Sequence, residues 1–146
     1  MFHKFCAIFS LIVLSLSFAC SNSPKGDSGV PSTSNNINEK KYSELILIED
    51  FFDFGSITHG EVISHTFHFK NGGNDVLIIK DLIPDCGCTQ PKIDKREFEP
   101  GEEGFVEVIF NSRGWSGSQY KSVTLRTNSP NREKSVTIKA NVVEQK

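Results

Sequence analysis

Val62-Ile63-Ser64-His65-Thr66-Phe67-His68-Phe69-Lys70-Asn71 is the stretch on which the fold turns. Side chains two apart share one side of an extended chain. Ile63, His65, Phe67 and Phe69 therefore line one face, and Ser64, Thr66, His68 and Lys70 the other. Apolar against polar at period two is the mark of a half-buried strand, not of a helix. The strand stops where Asn71-Gly72-Gly73-Asn74-Asp75 gathers residues that favour turns.

The same pattern recurs on both sides. Leu45-Ile46-Leu47-Ile48 is rich in β-formers and leads to Phe51-Phe52-Asp53-Phe54-Gly55. Val76-Leu77-Ile78-Ile79 opens a strand that runs to about Ile83 before Pro84. Pro100-Gly101-Glu102-Glu103-Gly104 places Pro and Gly where a type II turn wants them. Phe105 to Phe110 alternates again, and Asn111 to Ser118 is a Gly-containing connection around Trp115. Lys121 to Asn128 and Lys134 to Val143 form a closing pair, with Val123, Leu125, Val136, Ile138, Ala140 and Val142 inward. About seven short strands in about 100 residues predict an all-β fold, with an immunoglobulin-like antiparallel β-sandwich as the first choice. The Cys…Trp…Cys arrangement of antibody domains is absent, because Cys86 and Cys88 are too close in sequence to bridge two sheets.

Upstream, the character changes. Phe5 to Ala19 is an uncharged apolar run of 15 residues behind His3 and Lys4. A spanning helix needs about 20 apolar residues. The run is shorter, ends in a small residue, and fits a cleavable signal at 1–19. Leu16-Ser17-Phe18-Ala19-Cys20 resembles a bacterial lipoprotein signal, in which Cys20 is acylated and becomes the mature N-terminus. Leu stands four residues before Cys20, whereas such signals usually place it three before. An ordinary signal peptide with a chance cysteine is the alternative. Residues 20–42 are polar, rich in Ser and Asn, and cannot bury enough surface to fold, so they read as a disordered tether. Acyl chains, at about 0.8 kcal/mol per buried methylene, would hold such a chain to a membrane. The expected location is the bacterial cell envelope, with the outer membrane, facing periplasm or surface, as the first choice. Residues 43–146 remain as one domain, large enough for a single core.

Charge excludes one partner class. Sixteen Lys and Arg against eighteen Asp and Glu give a formal net charge of −2, without a basic run. Nucleic-acid binding is not expected. The 12 Phe against one Trp and two Tyr point to an aromatic core.

Several stretches follow one another in a distinctive order. They are Phe52-Asp53-Phe54-Gly55, Gly60-Glu61-Val62, His65-Thr66-Phe67, Phe69-Lys70-Asn71-Gly72-Gly73, Cys86-Gly87-Cys88-Thr89, Pro100-Gly101-Glu102, Val106-Glu107-Val108-Ile109-Phe110 and Thr127-Asn128-Ser129-Pro130. Together they resemble the bacterial domain of unknown function 1573 family, from Leu45 to Val143. That resemblance implies an immunoglobulin-like sandwich related to the domains of major sperm protein and of centrosomal and ciliary proteins. It implies members that are often exported or lipid-anchored in the Bacteroidetes group. It implies no reaction.

Cys86-Gly87-Cys88 is the one stretch with evident chemistry. Cys6 falls in the cleaved segment and Cys20 is assigned to a lipid, so this pair has no other intrachain partner. It can bridge itself, stay reduced, hold a metal, or pair with another molecule. In an extended strand, residues two apart lie about 6.5 to 7 Å apart at Cα. A disulfide prefers about 5.5 Å, so a bridge needs Gly87 to bend the chain. Two thiolates suit Cu(I), whereas zinc wants four ligands. His65 and His68 point to opposite faces, so at most one joins such a site, and His59 is the remaining imidazole of the domain. His65 shares its face with Phe67 and Phe69 and reads as a satisfied, half-buried imidazole. Trp115 is either an exposed binding aromatic or a cap on one end of the sandwich, and Arg113 beside it is a candidate carboxylate contact. The acidic residues Glu97, Glu99, Glu102 and Glu103 read as a solvated face. No serine elbow, zinc-protease helix or phosphate loop is present. The expectation is a non-enzymatic, lipid-anchored binding or scaffolding module without a cofactor. Its partner would be a protein or other envelope component, engaged through the loops Gly72–Asp75 and Asn111–Ser118. The rival reading is a thiol protein that binds Cu(I) or takes part in redox through Cys86 and Cys88.

Overall fold

A computed structural model describes residues 39–144, and the expectations placed on the signal peptide, on Cys6 and Cys20, and on all but the last residues of the tether lie outside them. The alternation at 62–71 becomes strand β3 (Val62–Asn71), with Ile63, Phe67, Phe69 and Asn71 buried and Val62, Ser64, His68 and Lys70 exposed. On one side β3 pairs antiparallel with β7 (Glu103–Asn111), in register from Val62 opposite Asn111 to Lys70 opposite Glu103. On the other side it pairs with β1 (Leu45–Leu47). β5 (Thr89–Lys92) completes this sheet on the far side of β7, giving the order β1-β3-β7-β5. The second sheet is ordered β2-β9-β8-β4-β6: β2 (Phe51–Thr58), β9 (Glu133–Val143), β8 (Gly117–Thr127), β4 (Leu77–Pro84) and β6 (Glu97–Phe98). Two sheets face to face give the immunoglobulin-like sandwich that the alternation predicts.

The described residues hold nine strands where about seven are expected. The two additional strands are β5 and β6. β5 reads Thr89-Gln90-Pro91-Lys92, and a proline demotes a run on sequence grounds. β6 is only two residues long, too short to show a period. The structure explains how Pro91 is tolerated. The N–H of Asn111 donates to the carbonyl of Cys88 at 3.1 Å. Alternation along the ladder then turns Gln90 and Lys92 toward β7 and leaves the nitrogen of Pro91 facing the open edge. A second departure is β2, which runs parallel to β9 while every other pairing is antiparallel. The link Ile48–Asp50 carries the chain from one sheet to the other between β1 and β2.

Between the sheets lie Phe67, Phe69, Phe98 and Phe110, all without solvent exposure, with Val106, Val108, Val123, Leu125, Val136 and Ile138 around them. Each such side chain contributes about 1.5–3 kcal/mol by leaving water. Phe69 and Phe98 meet edge to face at 4.9 Å, and Gly104, opposite Phe69, leaves the room that their rings fill. His65 sits at the seam as expected. It stacks on Phe52 at 3.7 Å, meets Phe67 edge-on, and shares a 2.9 Å hydrogen bond with Glu49.

The end of β3 is fixed by Asn71, which has no exposed surface. Its Oδ1 accepts from the N–H of Gly73 at 3.0 Å and that of Glu44 at 3.3 Å. Its Nδ2 donates to the carbonyls of Asp75 at 2.8 Å and Phe98 at 2.9 Å. One carboxamide therefore joins the residue entering β1, the β3–β4 loop and β6, with its hydrogen-bonding capacity filled. The Pro100-Gly101 turn also closes here: Gly101 has φ 80° and donates to the carbonyl of Asn71. Removing the amide strands several buried partners, each at about 1–3 kcal/mol. Asn71→Ala should lower the unfolding free energy of the full chain by about 3 kcal/mol in urea titration, and Asn71→Asp, which turns an acceptor toward two carbonyls, by at least as much. A loss below about 1 kcal/mol in both would show that the other bonds at this end suffice.

Candidate functional site

The four residues singled out in the domain, Cys86, Cys88, Arg113 and Trp115, lie on the loops at one end of the sandwich. Three connections meet there: the β2–β3 turn, the β4–β5 turn and the β7–β8 loop. The fully buried Ser112 clamps two of them. Its Oγ donates to the carbonyl of Glu61 at 2.8 Å or that of Thr58 at 3.2 Å, and its N–H donates to Glu61 at 3.0 Å. Gly114, at φ 81°, turns its N–H toward Nε2 of His59 at 3.1 Å. Trp115 N–H donates back to Ser112, and Arg113 N–H to Oδ1 of Asn111. The loop backbone is thus spent on its neighbours, and the Arg113 side chain is left exposed.

Cys86 and Cys88 are joined to each other by a disulfide, with their Cα atoms 5.2 Å apart. The chain achieves this separation by turning at Gly87. Asp85 holds the turn onto β8: its N–H donates to the carbonyl of Ser122, and its carboxylate accepts the N–H of Ser122 at 2.9 Å. Beneath the bridge the hydroxyl of Thr89, a residue only 2% exposed, lies 3.3 Å from Sγ of Cys86 and 3.8 Å from Sγ of Cys88. The N–H of Cys88 also donates to Sγ of Cys86, at 3.3 Å.

Next to the bridge opens a depression of about 480 Å³. Val62 and Ile109 give it apolar walls, Gly87 and Cys88 one rim, and Gln90, Asn111 and Arg113 its polar groups. Cys88 and Arg113 therefore share one concavity, a juxtaposition that their separation in sequence does not announce. Cys86 is not part of its lining.

Trp115 is a cap. It is half-buried and packs on the core, and Nζ of Lys121 stands 3.4 Å from its ring centre and 5.6 Å from that of Phe110. Lys121 is only 6% exposed. A cation on aromatic faces is worth about 0.5–2 kcal/mol, more as water is excluded. Sequence reasoning passed over Lys121, although it shares a strand face with Val123 and Leu125. Ser112 was passed over as well, and the hydrogen-bonding roles of His59 and Thr89 come from contacts that the sequence order does not display.

The loop Gly72–Asp75 lies at the opposite end and is already engaged by the chain's own entering segment. The carbonyl of Tyr42 accepts from Asn74 and Asp75, and Tyr42 N–H donates to Oδ1 of Asn74. A cleft of about 210 Å³ between Tyr42–Leu45 and Ser129–Asn131 lies at this end too. The resolved carboxyl shifts fall on exposed ion pairs outside the loop end that carries Arg113. A hydrogen bond from Lys139 holds the Asp53 carboxyl below its usual range, and one from Lys95 does the same for Glu102. Among the described residues no three His, Cys, Asp or Glu side chains come together as a metal site.

No curated protein matches the sequence. Solved structures do. A protein of unknown function from Porphyromonas gingivalis superposes with a TM-score of 0.61 at 17% identity, over 73% of this chain and 51% of that one. The PapD-like domain 7 of human CEP192 superposes at 0.54 and 10% identity, over 83% of this chain and all of that one. The secreted serine protease VesC of Vibrio cholerae superposes at 0.52 and 14% identity, over 67% of this chain and 23% of that one. The chain thus spans about half of the first of these proteins and a quarter of the last. At such identities the likeness speaks for the fold alone. The sequence itself goes further: the model of the family described as protein of unknown function, DUF1573, matches residues 45–142, and the chain belongs to that family.

Proposed function

We propose that this chain is a non-enzymatic binding or scaffolding module of the bacterial cell envelope, anchored through a lipid on Cys20, that engages a protein partner with the end carrying Arg113. The observation that carries this reading is the concave loop end itself. Its backbone is tied down by Ser112 and His59, and its guanidinium forms no ion pair among the described residues. A pre-organised concavity with an arginine on its rim spends little entropy on ordering and suits a partner carboxylate.

The placement of the entering chain supports the same reading. Tyr42 lies at the end opposite Arg113. Gly72–Asp75, occupied by Tyr42, is left out of the proposed contact.

Crosslinking of the anchored full chain in cells, affinity purification and mass spectrometry should recover a partner whose yield falls at least tenfold in Arg113→Glu, as expected for an interfacial arginine. Undiminished capture in that variant would sink the assignment of this end. Trp115→Ala is not a clean probe, because it should also lower the midpoint of thermal unfolding. The anchor is checked separately: incorporation of labelled fatty acid should vanish in Cys20→Ala, and label that persists would place any lipid elsewhere.

A further inference from the structure

We propose that the Cys86–Cys88 bridge is a thiol-capture site, at which an external thiolate attacks Sγ of Cys88 and Cys86 is the leaving sulfur. Such capture needs neither the lipid anchor nor the partner of the preceding section.

The two sulfurs are unlike. Cys88, half-buried against the core, is among the residues lining the depression beside Arg113, whose cation can steer a thiolate toward this side of the bridge. Cys86 is off that lining and is held from within. The N–H of Cys88 and the hydroxyl of Thr89 both reach its sulfur at 3.3 Å, whereas Sγ of Cys88 has only the Thr89 hydroxyl at 3.8 Å. In the bridged form no sulfur carries a proton, so Thr89 must be the donor. A disulfide sulfur is a weak acceptor, and a thiolate a strong, charged one. Thr89 is buried, and the sulfurs are the partners its hydroxyl has among the described residues. These two donors are therefore better used once Cys86 becomes a thiolate than while the bridge is closed. A leaving thiolate so stabilised departs faster.

The step balances without an added oxidant. The external sulfur forms a bond to Sγ of Cys88 as the Cys86–Cys88 bond breaks. The electron pair of that bond goes to Cys86, which keeps it as thiolate or takes a proton from water. The external thiol is oxidised to the mixed disulfide, and Cys86 is reduced. Re-attack by Cys86 on Cys88 restores the bridge and releases the thiol, so capture is reversible. The shared chemistry is a thiol, carried either by a small molecule or by a protein cysteine.

The test uses the full chain with Cys6→Ser and Cys20→Ser, so that one cysteine pair remains. Glutathione is added, the freed thiol is trapped with iodoacetamide, and the adducts are mapped by peptide mass spectrometry. The expected product carries glutathione on Cys88 and carbamidomethyl on Cys86. Thr89→Val, which keeps shape and removes the hydroxyl, should slow capture about tenfold, as loss of a hydrogen bond to a charged group does, and Thr89→Ser should restore it. A short cysteine peptide flanked by Asp serves as the second arm. Faster capture of that peptide than of glutathione, per thiolate, assigns the site to protein cysteines, and equal rates assign it to small thiols. Glutathione found mainly on Cys86 overturns the proposal. So does capture no faster than by an oxidised linear Cys-Gly-Cys peptide. An unchanged rate in Thr89→Val removes the donor argument on which the asymmetry rests. If Thr89→Val does not fold, the adduct position in the otherwise unaltered chain still decides.

Discussion

Everything at the entry end of this domain depends on one buried carboxamide. Asn71 closes the strand whose alternation sets the fold, and it does so at a point where three other segments must end. A buried backbone group without a partner costs more than a good hydrogen bond returns, so strand ends need a local solution. A single amide has two donors and an acceptor oxygen with two lone pairs, which fits the groups that the residue entering β1, the β3–β4 loop and β6 leave over. Asn128 does similar work one strand away. Its Oδ1 takes the N–H of Ile78 and the hydroxyl of Ser43, and its Nδ2 reaches the carbonyl of Val76, standing in for a strand at the start of β4. Two asparagines thus replace strand partners that the short β1 and β6 cannot supply.

Sealing one end has a consequence for the other. The segment that enters at Tyr42 covers the Gly72–Asp75 loop, so that loop is committed to the fold. At the far end of β3, beginning with Val62, no such segment arrives among the described residues. There Ser112 and His59 tie the loops to each other, Asp85 ties one of them to β8, and Arg113 and Cys88 are among the residues lining a depression. The proposed binding role follows from this asymmetry and not from any single residue at the site.

The period of two was enough to find the long strands, their inward faces and the half-buried His65, because burial of one face imposes that period directly. It could not find β5 and β6. In β5 the backbone bonds to β7 outweigh the poor propensity of proline, whose nitrogen faces the open edge, and in β6 two residues cannot express a period at all. Nor could it separate a Trp115 that binds from one that caps. That depended on Lys121, which alternation places inward but which composition counts as a surface charge. The meeting of Cys88 with Arg113 was out of reach for a different reason. It is produced by β5 lying beside β7, a non-local pairing with one proline-containing partner.

The disulfide remains the residue pair whose presence the fold least requires. Closing so short a loop restricts the unfolded chain little: by chain entropy it is worth about 1.5 kcal/mol, roughly half of what a 15-residue loop gives. The turn is already held by other means. Asp85 exchanges two hydrogen bonds with Ser122, and Cys88 receives the N–H of Asn111 on its carbonyl. A device needed only to fix Gly87 in place would add modestly to bonds that do so already. The buried hydroxyl of Thr89 tells in the same direction. Valine would pack there without any polar group to satisfy, yet the chain keeps a donor whose partners among the described residues are sulfurs. A donor held against a weak acceptor is poorly used in the closed state, and its use improves when negative charge forms on Cys86. Stability accounts for the bridge in part and leaves the hydroxyl beneath it without a use, whereas the proposed reactivity at Cys88 would employ both.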